Sequence, residues 1–265
     1  MSDRVQITHG DVTLSAFASG VADGPAILLS NSLGAGLDMW APQRAFLERK
    51  YRVIGYDTRG HGQSSTPSAP YSFDDLTRDA LAVMDHFGIA TADVLGLSLG
   101  GMTALGLGLT APRRVGKIIC ACARADAPEP FSQSWDDRIG AIATGGLAAI
   151  WPGTLERWLT PDYIAARPTQ VQQLENDFVA TTVEGYTGCA RALQGLDYKR
   201  HLGDMSRPVL FVSGAQDMGA PPAEMQSMHQ ATPESQYENI PDSAHIANLN
   251  QVSAFNDVLA AFLEV

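Results

Sequence analysis

Residues 96–100 read Gly96-Leu97-Ser98-Leu99-Gly100, a G-x-S-x-G pentapeptide at the end of the apolar run Asp93-Val94-Leu95. This feature constrains the fold more than any other in the chain. The pattern describes a serine on a strained turn that leaves a strand and enters a helix. The flanking glycines are needed because that turn has no room for side chains beside the serine. It lifts a hydroxyl clear of a sheet, where a base can reach it. A short pattern of this kind is also compatible with an ordinary turn, so its meaning depends on what the rest of the chain supplies.

The surrounding sequence supplies alternating strands and helices. Val5 to Thr8 and Val12 to Ala18 flank His9-Gly10-Asp11, which predicts a hairpin. Ala26-Ile27-Leu28-Leu29 is a continuous apolar run, as expected of a strand covered on both faces, and Tyr51–Tyr56 is a second one. Leu76, Ala80, Val83, Met84 and Phe87 recur at helical spacing over 73–87. Ser72 and Asp75 form a capping box at the start of that helix, and Gly88 ends it. A strand at 93–97 leads into Ser98. A small-residue helix follows from Leu99 to Thr110, whose glycines let it lie close to the sheet, and Val115 to Ala121 is another strand. Strand–helix alternation of this kind predicts a mostly parallel sheet flanked by helices.

From about residue 127 the pattern changes. Residues 127–206 contain Trp135, Trp151 and Trp158, several helical stretches and the breakers Pro152, Pro161 and Pro168, but no convincing strand. Alternation resumes with Val209–Val212, a helix near 222–230, a short strand at Tyr237–Ile240 and a last helix from about Val252. The expected organisation is an α/β core formed by 1–126 and 207–265. A helical cap at 127–206 would cover the carboxyl ends of the central strands, where open α/β sheets bind ligands.

Composition narrows the partners. A chain of 265 residues with 45% hydrophobic content can bury one large core, and a net charge of -11 disfavours a nucleic acid or an anionic membrane. Cys120 and Cys122 share a face of one strand, and Cys189 is the third cysteine. An odd count without CxxC spacing argues for core thiols in a reducing compartment rather than a disulfide framework or a zinc site. Met1-Ser2-Asp3-Arg4-Val5-Gln6 holds no apolar leader core, and no apolar stretch approaches a membrane span. A cytoplasmic location is therefore expected, with a homo-oligomer left open.

A serine hydroxyl needs a base to become a nucleophile. Of six histidines, His9, His61, His86, His201 and His229 have ordinary settings in turns, loops, helices or polar surroundings. His245 lies in Pro241-Asp242-Ser243-Ala244-His245, just after the last predicted strand and therefore on the side of Ser98. The base in turn needs a carboxylate to hold its tautomer. Asp217, in the loop after the strand at 209–212, is favoured because the order Ser98, Asp217, His245 is the one this motif requires. Asp126, after the strand at 115–121, is the competing carboxylate. The expected oxyanion donors are the backbone N–H groups of Leu99, next to the nucleophile, and Leu33, in the loop Ser30-Asn31-Ser32-Leu33-Gly34.

With these residues in view the chain resembles the α/β-hydrolases over nearly its whole length. More closely, it resembles the β-ketoadipate enol-lactone hydrolases (3-oxoadipate enol-lactonases). The resemblance rests on Ser30–Gly34 with Met39-Trp40, on Tyr56-Asp57-Thr58-Arg59-Gly60-His61-Gly62, and on Gly96–Met102. It extends to Trp135–Ile139, Glu184-Gly185-Tyr186 with Cys189–Leu193, and Ala244–Leu249. The chain departs from the pattern at Cys120-Ala121-Cys122-Ala123-Arg124, at Ala220 and at Asn250-Gln251-Val252.

The resemblance implies Ser98, Asp217 and His245 as a catalytic triad and hydrolysis of a small lactone without metal or organic cofactor. The substrate of such enzymes carries a carboxylate, which calls for a cation in the pocket. Arg138, three residues after Trp135 and on its face if the stretch is helical, is the candidate, unless it pairs with Asp136 or Asp137. A general carboxylesterase or a bromoperoxidase-like perhydrolase would use the same triad. A non-catalytic receptor on this fold is a third reading, and Ser98 argues against relatives with an aspartate nucleophile.

Overall fold

The computed structural model describes residues 4–265; Met1, Ser2 and Asp3, within the stretch read for a leader, lie outside the described residues. Eight strands form one sheet: β1 Val5–His9, β2 Val12–Gly20, β3 Ala26–Ser30, β4 Arg52–Tyr56, β5 Ala92–Leu97, β6 Val115–Ala121, β7 Val209–Gly214 and β8 Ser235–Ile240. Their order is β1-β2-β4-β3-β5-β6-β7-β8. β2 is antiparallel to β1 and β4, and every pairing from β4 across to β8 is parallel.

The β1–β2 hairpin turns where His9-Gly10-Asp11 predicted it, with Gly10 in the left-handed region at φ 56°. Every residue of β7 is buried, so both faces of the sheet are covered at its centre. β8 starts at Ser235, two residues before the apolar pattern begins. It is an edge strand with only Ile240 buried, and Ser235 and Gln236 join through backbone pairing to Val209 and Leu210, which leaves no apolar signal at its start.

Helices α1 Ala41–Leu47, α2 Phe73–His86 and α3 Leu99–Thr110 belong to the first half of the chain. The start of α2 carries both halves of the predicted capping box, worth about 1 kcal/mol. Between β6 and β7 the chain forms α4 Glu129–Gly145, α5 Trp151–Trp158, α6 Pro161–Ala166, α7 Pro168–Ala180 and α8 Val183–Gln194, and no strand. Helices α9 Pro222–Ala231, α10 Ala247–Asn250 and α11 Val252–Leu263 complete the fold. Among the described residues no helix is long and apolar enough to cross a membrane. All three cysteines are buried and unpaired.

The inserted helices are held to the core by an aromatic cluster. Phe178 of α7 lies 5.3 Å from Trp151, 5.6 Å from Trp158 and 5.7 Å from Tyr186, ring centre to ring centre. The Phe178 ring also sits directly over Gly34, in the loop after β3. Phe178 and Tyr186 thus reach one small residue at the carboxyl edge of the sheet, with Trp151 and Trp158 packed on Phe178, and burying the cluster there seats the insert over that edge.

The glycines of α3 do different jobs. Gly100 approaches the backbone of β3 so closely that a Cβ would fall on the carbonyl of Ser30, and Gly101 faces Ala121 and Ala123 beyond β6. Gly106 instead faces Thr77 of α2 and the Tyr198 hydroxyl, so it serves helix and loop packing rather than the sheet. Gly100→Ala is therefore expected to lower the unfolding free energy in urea by about 1–3 kcal/mol. Gly140→Ala, on α4 with open space around it, is expected to raise that energy by about 0.5–1 kcal/mol. Equal stability of the Gly100 variant and the parent would show that the close approach is not required.

Candidate active site

Four loops at the carboxyl ends of parallel strands meet at one point. Ser98 follows β5 and precedes α3, with φ 55° and ψ -117°, a conformation that costs a non-glycine residue about 1–3 kcal/mol. The surroundings hold it there: its N–H donates to the Ala121 carbonyl at 2.8 Å, and its own carbonyl accepts from Met102 at 3.0 Å. Gly96 and Gly100 leave the turn no room for a Cβ, since one on Gly96 would strike the Gly100 carbonyl.

His245, in the loop after β8, stands with Nε2 at 2.9 Å from the Ser98 Oγ. Its Nδ1 lies 2.8 Å from Oδ2 of Asp217, which follows β7. The Asp217 side chain is fully buried, while that of His245 is 13% exposed. The other carboxylate oxygen, Oδ1, accepts from the N–H groups of Gly219 at 2.7 Å and Ala220 at 3.0 Å. A carboxylate so held is fixed in direction. It selects the imidazole tautomer with hydrogen on Nδ1, which leaves Nε2 free to take the serine proton. The competing carboxylate, Asp126, is engaged elsewhere, 3.2 Å from Lys199 and 3.6 Å from Arg124.

The His245 loop is also tied to the insert. The N–H groups of His245 and Ile246 donate to the carbonyls of Arg157 and Trp158 at 3.2 and 3.0 Å. Asn250 closes the same joint: its Oδ1 accepts from Thr160 and Ala244, and its Nδ2 donates to Trp158 and Ile246.

A cavity of about 300 Å³ opens over Ser98 and His245, large enough for a small organic molecule. Leu33, Trp135 and Arg138 line it, as do Tyr186 of the enol-lactonase match, Cys122 of the departure from it, and Arg157, which no motif in the sequence marked out. Leu99 is buried, and its N–H sits at the first turn of α3, where helix geometry leaves it without an intrahelical partner. Among the described residues, no acceptor takes the N–H of Leu33 or of Leu99.

Arg138 does not pair with its acidic neighbours. Asp136 bonds Arg191 at 2.5 Å and Asp137 accepts from Gln133, while the Arg138 guanidinium stacks 4.4 Å from the Trp135 ring centre. Arg157, a helical turn past Thr154 on the face of α5 that buries Trp151, Thr154 and Trp158, donates to the Thr154 hydroxyl. Burial holds the Arg157 pKa down to about 10, and the like charge of Arg138 adds to that effect. Among the described residues neither guanidinium has a carboxylate within ion-pair distance. Tyr186 is pushed up to about 12 by its burial, so it is a neutral hydroxyl at the cavity wall. The same residues hold no group of three or more His, Cys, Asp or Glu placed for a metal ion.

Comparison with known proteins places this geometry in a family. The profile of the alpha/beta hydrolase fold matches residues 25–251. The chain is 38% identical to 3-oxoadipate enol-lactonase 2 of Acinetobacter baylyi over 258 residues, covering 97% of this chain and 96% of that one. It is 33% identical to 3-oxoadipate enol-lactonase 1 of the same organism, covering 95% and 93%. The crystal structure of the enol-lactonase from Burkholderia xenovorans LB400 superposes with a TM-score of 0.95 at 34% identity, covering 98% of this chain and all of that one.

The Ser98–His245–Asp217 line predicts the reactivity of the serine. A fluorophosphonate is expected to modify Ser98, and Asp217→Asn is expected to slow that modification by about 10³–10⁴-fold, through loss of the right tautomer. Equal rates in the two proteins, followed by mass spectrometry, would show that the Asp217 hydrogen bond does not govern Ser98.

Proposed function

The chain belongs to the α/β-hydrolase family, and from that premise we propose that it opens a small enol-lactone ring bearing a carboxylate, such as 3-oxoadipate enol-lactone. The family and the relatives make the protein a hydrolase. The observation that carries the finer reading is the pair of guanidinium groups, Arg138 and Arg157, in the cavity above Ser98. Among the described residues neither has a carboxylate within ion-pair distance, although the chain as a whole carries a net charge of -11. Two guanidinium groups without an ion pair beside a nucleophile favour an anionic substrate at that spot.

The reaction then runs as an acyl transfer. Ser98 Oγ attacks the ring carbonyl while His245 Nε2 takes its proton, and Asp217 stabilises the imidazolium. The N–H groups of Leu33 and Leu99 receive the oxyanion. Collapse of the tetrahedral intermediate breaks the ring C–O bond. The expelled oxygen is an enolate, far less basic than an alkoxide; it takes the proton held on His245 Nε2, which frees the imidazole, and the resulting enol tautomerises to a ketone still attached to the acyl group. Water, deprotonated by His245, attacks the Ser98 ester, and its collapse releases the carboxylate and restores the serine. Residues 127–206 act as the lid, supplying Trp135, Arg138 and Arg157 to the pocket, with 1–126 and 207–265 as the core. Small lactone or ester molecules are the partners in this reading, and the protein works in the cytoplasm.

A hydrolysis screen tests the assignment. An enol-lactone with a carboxylate is expected to give a higher kcat/KM than a saturated lactone or p-nitrophenyl acetate; preference for the uncharged aryl ester would make the protein a general carboxylesterase. Arg138→Ala and Arg157→Ala are each expected to raise KM for the anionic lactone about tenfold to a hundredfold, the worth of one charged hydrogen bond. KM for p-nitrophenyl acetate should stay unchanged in both. An unchanged KM for the anionic lactone in both variants would refute the anion subsite.

A further inference from the structure

The loop that carries the Leu33 N–H is pinned by a residue outside the triad. Ser32, Leu33, Gly34 and Ala35 form a turn closed by the Ala35 N–H on the Ser32 carbonyl at 3.1 Å. Gly34 occupies its third position with φ 80°, the geometry of a type II turn. The Gly34 N–H donates to Nε2 of His61 at 2.9 Å. On the other side of the ring, His61 Nδ1 lies 3.0 Å from the Arg59 carbonyl, so the hydrogen is on Nδ1 and the lone pair on Nε2 faces Gly34. His61 is 1% exposed, and burial holds its pKa below the ordinary histidine range, in keeping with the neutral ring that an acceptor role demands.

Neither partner in this contact has freedom to move. Arg59 is clamped by a buried two-point ion pair with Asp79, at 2.7 and 2.8 Å, and the Gly60 carbonyl accepts from the Thr182 hydroxyl at 3.1 Å. Phe178 closes over Gly34 from the insert side. The turn therefore lies between an aromatic ring that only packs on it and an imidazole that sets the plane of its Leu33–Gly34 peptide. Ser98 and His245 do not touch His61 through any of these bonds, so its effect on the reaction runs through the loop.

We propose that His61 is a positioning residue for the oxyanion site, holding the Leu33–Gly34 peptide through its Nε2 so that the Leu33 N–H stays aimed at the developing oxyanion. The proposal rests on the reading of Ser98 as nucleophile with Leu33 and Leu99 as donors. Without the acceptor, the Gly34 N–H is buried and unpaired, and the peptide turns to find another partner, which costs transition-state binding more than ground-state binding.

The test compares His61→Phe, which keeps a ring and loses the acceptor, with His61→Gln, whose side-chain oxygen reaches the place of Nε2. With p-nitrophenyl acetate, His61→Phe is expected to lower kcat about tenfold to a hundredfold with KM within about twofold. Affinity for a boronic acid that forms a tetrahedral adduct on Ser98 should fall in parallel. His61→Gln should recover most of both losses; His61→Ala, which should match Phe, stands in if the Phe variant does not fold. Parental kcat and boronate affinity in His61→Phe would overturn the proposal. So would a Gln variant as poor as Phe, with loss of melting temperature in step, since that pattern marks packing alone. Ser98→Ala, run alongside, separates the two ideas: turnover surviving in it overturns the nucleophile assignment, whereas failure of the His61 role leaves turnover dependent on Ser98.

Discussion

One close approach governs the arrangement of this protein. The backbone of Gly100 lies against that of Ser30 and Asn31, with no space for even a methyl group between them. It brings the first turn of α3 to the end of β3, and so brings the serine turn and the Ser30–Gly34 loop to one place. The strain at Ser98 is tolerated because that contact, the Gly96 approach and the bond to Ala121 leave the chain no alternative. Two further strands, β7 and β8, deliver Asp217 and His245 to the same edge because they run parallel to β5.

Around this edge the structure is built of polar contacts that each have one solution. Asn31 donates to the Tyr56 carbonyl and accepts from the Trp40 indole at 3.1 Å, which fixes the start of the loop that Gly34 and His61 finish. The insert takes part as well. Carbonyls at the end of α5 receive the N–H groups of His245 and Ile246, and Asn250 spans the joint with four hydrogen bonds. The helices that close the cavity therefore also hold the His245 loop. The Asn250-Gln251-Val252 departure from the enol-lactonase pattern falls at this joint, and the cysteine-rich departure places Cys122 in the cavity wall.

Much of this was legible from residues alone, for physical reasons. Ser98 and Asp217 each follow a strand with a clear apolar run, and His245 follows the short strand legible at Tyr237–Ile240, so their side of the sheet could be read without coordinates. The helical character of 127–206 was legible because tryptophans and prolines punctuate it. What escaped reading depended on contacts distant in sequence. Arg157 looks like any solvated arginine until α5 is seen to turn its buried face to the cavity, although the spacing of Trp151, Thr154 and Trp158 was a usable signal. In the sequence His61 has the setting of an ordinary loop histidine, and only the path of the β3 loop reveals its partner, Gly34, 27 residues earlier. Pairing of Arg138 with Asp136 was a reasonable reading of local spacing, but Arg191 of α8 competes for that carboxylate and wins.

The central claim is that Ser98 becomes covalently acylated by an enol-lactone. Rapid acid quench of the enzyme turning over 3-oxoadipate enol-lactone, followed by mass spectrometry of the peptide containing Ser98, measures this directly. Because the leaving oxygen stays tethered to the acyl group, the expected mass gain equals the whole lactone, on Ser98 alone. Turnover with no adduct on Ser98 at any quench time, and undiminished in Ser98→Ala, would contradict it.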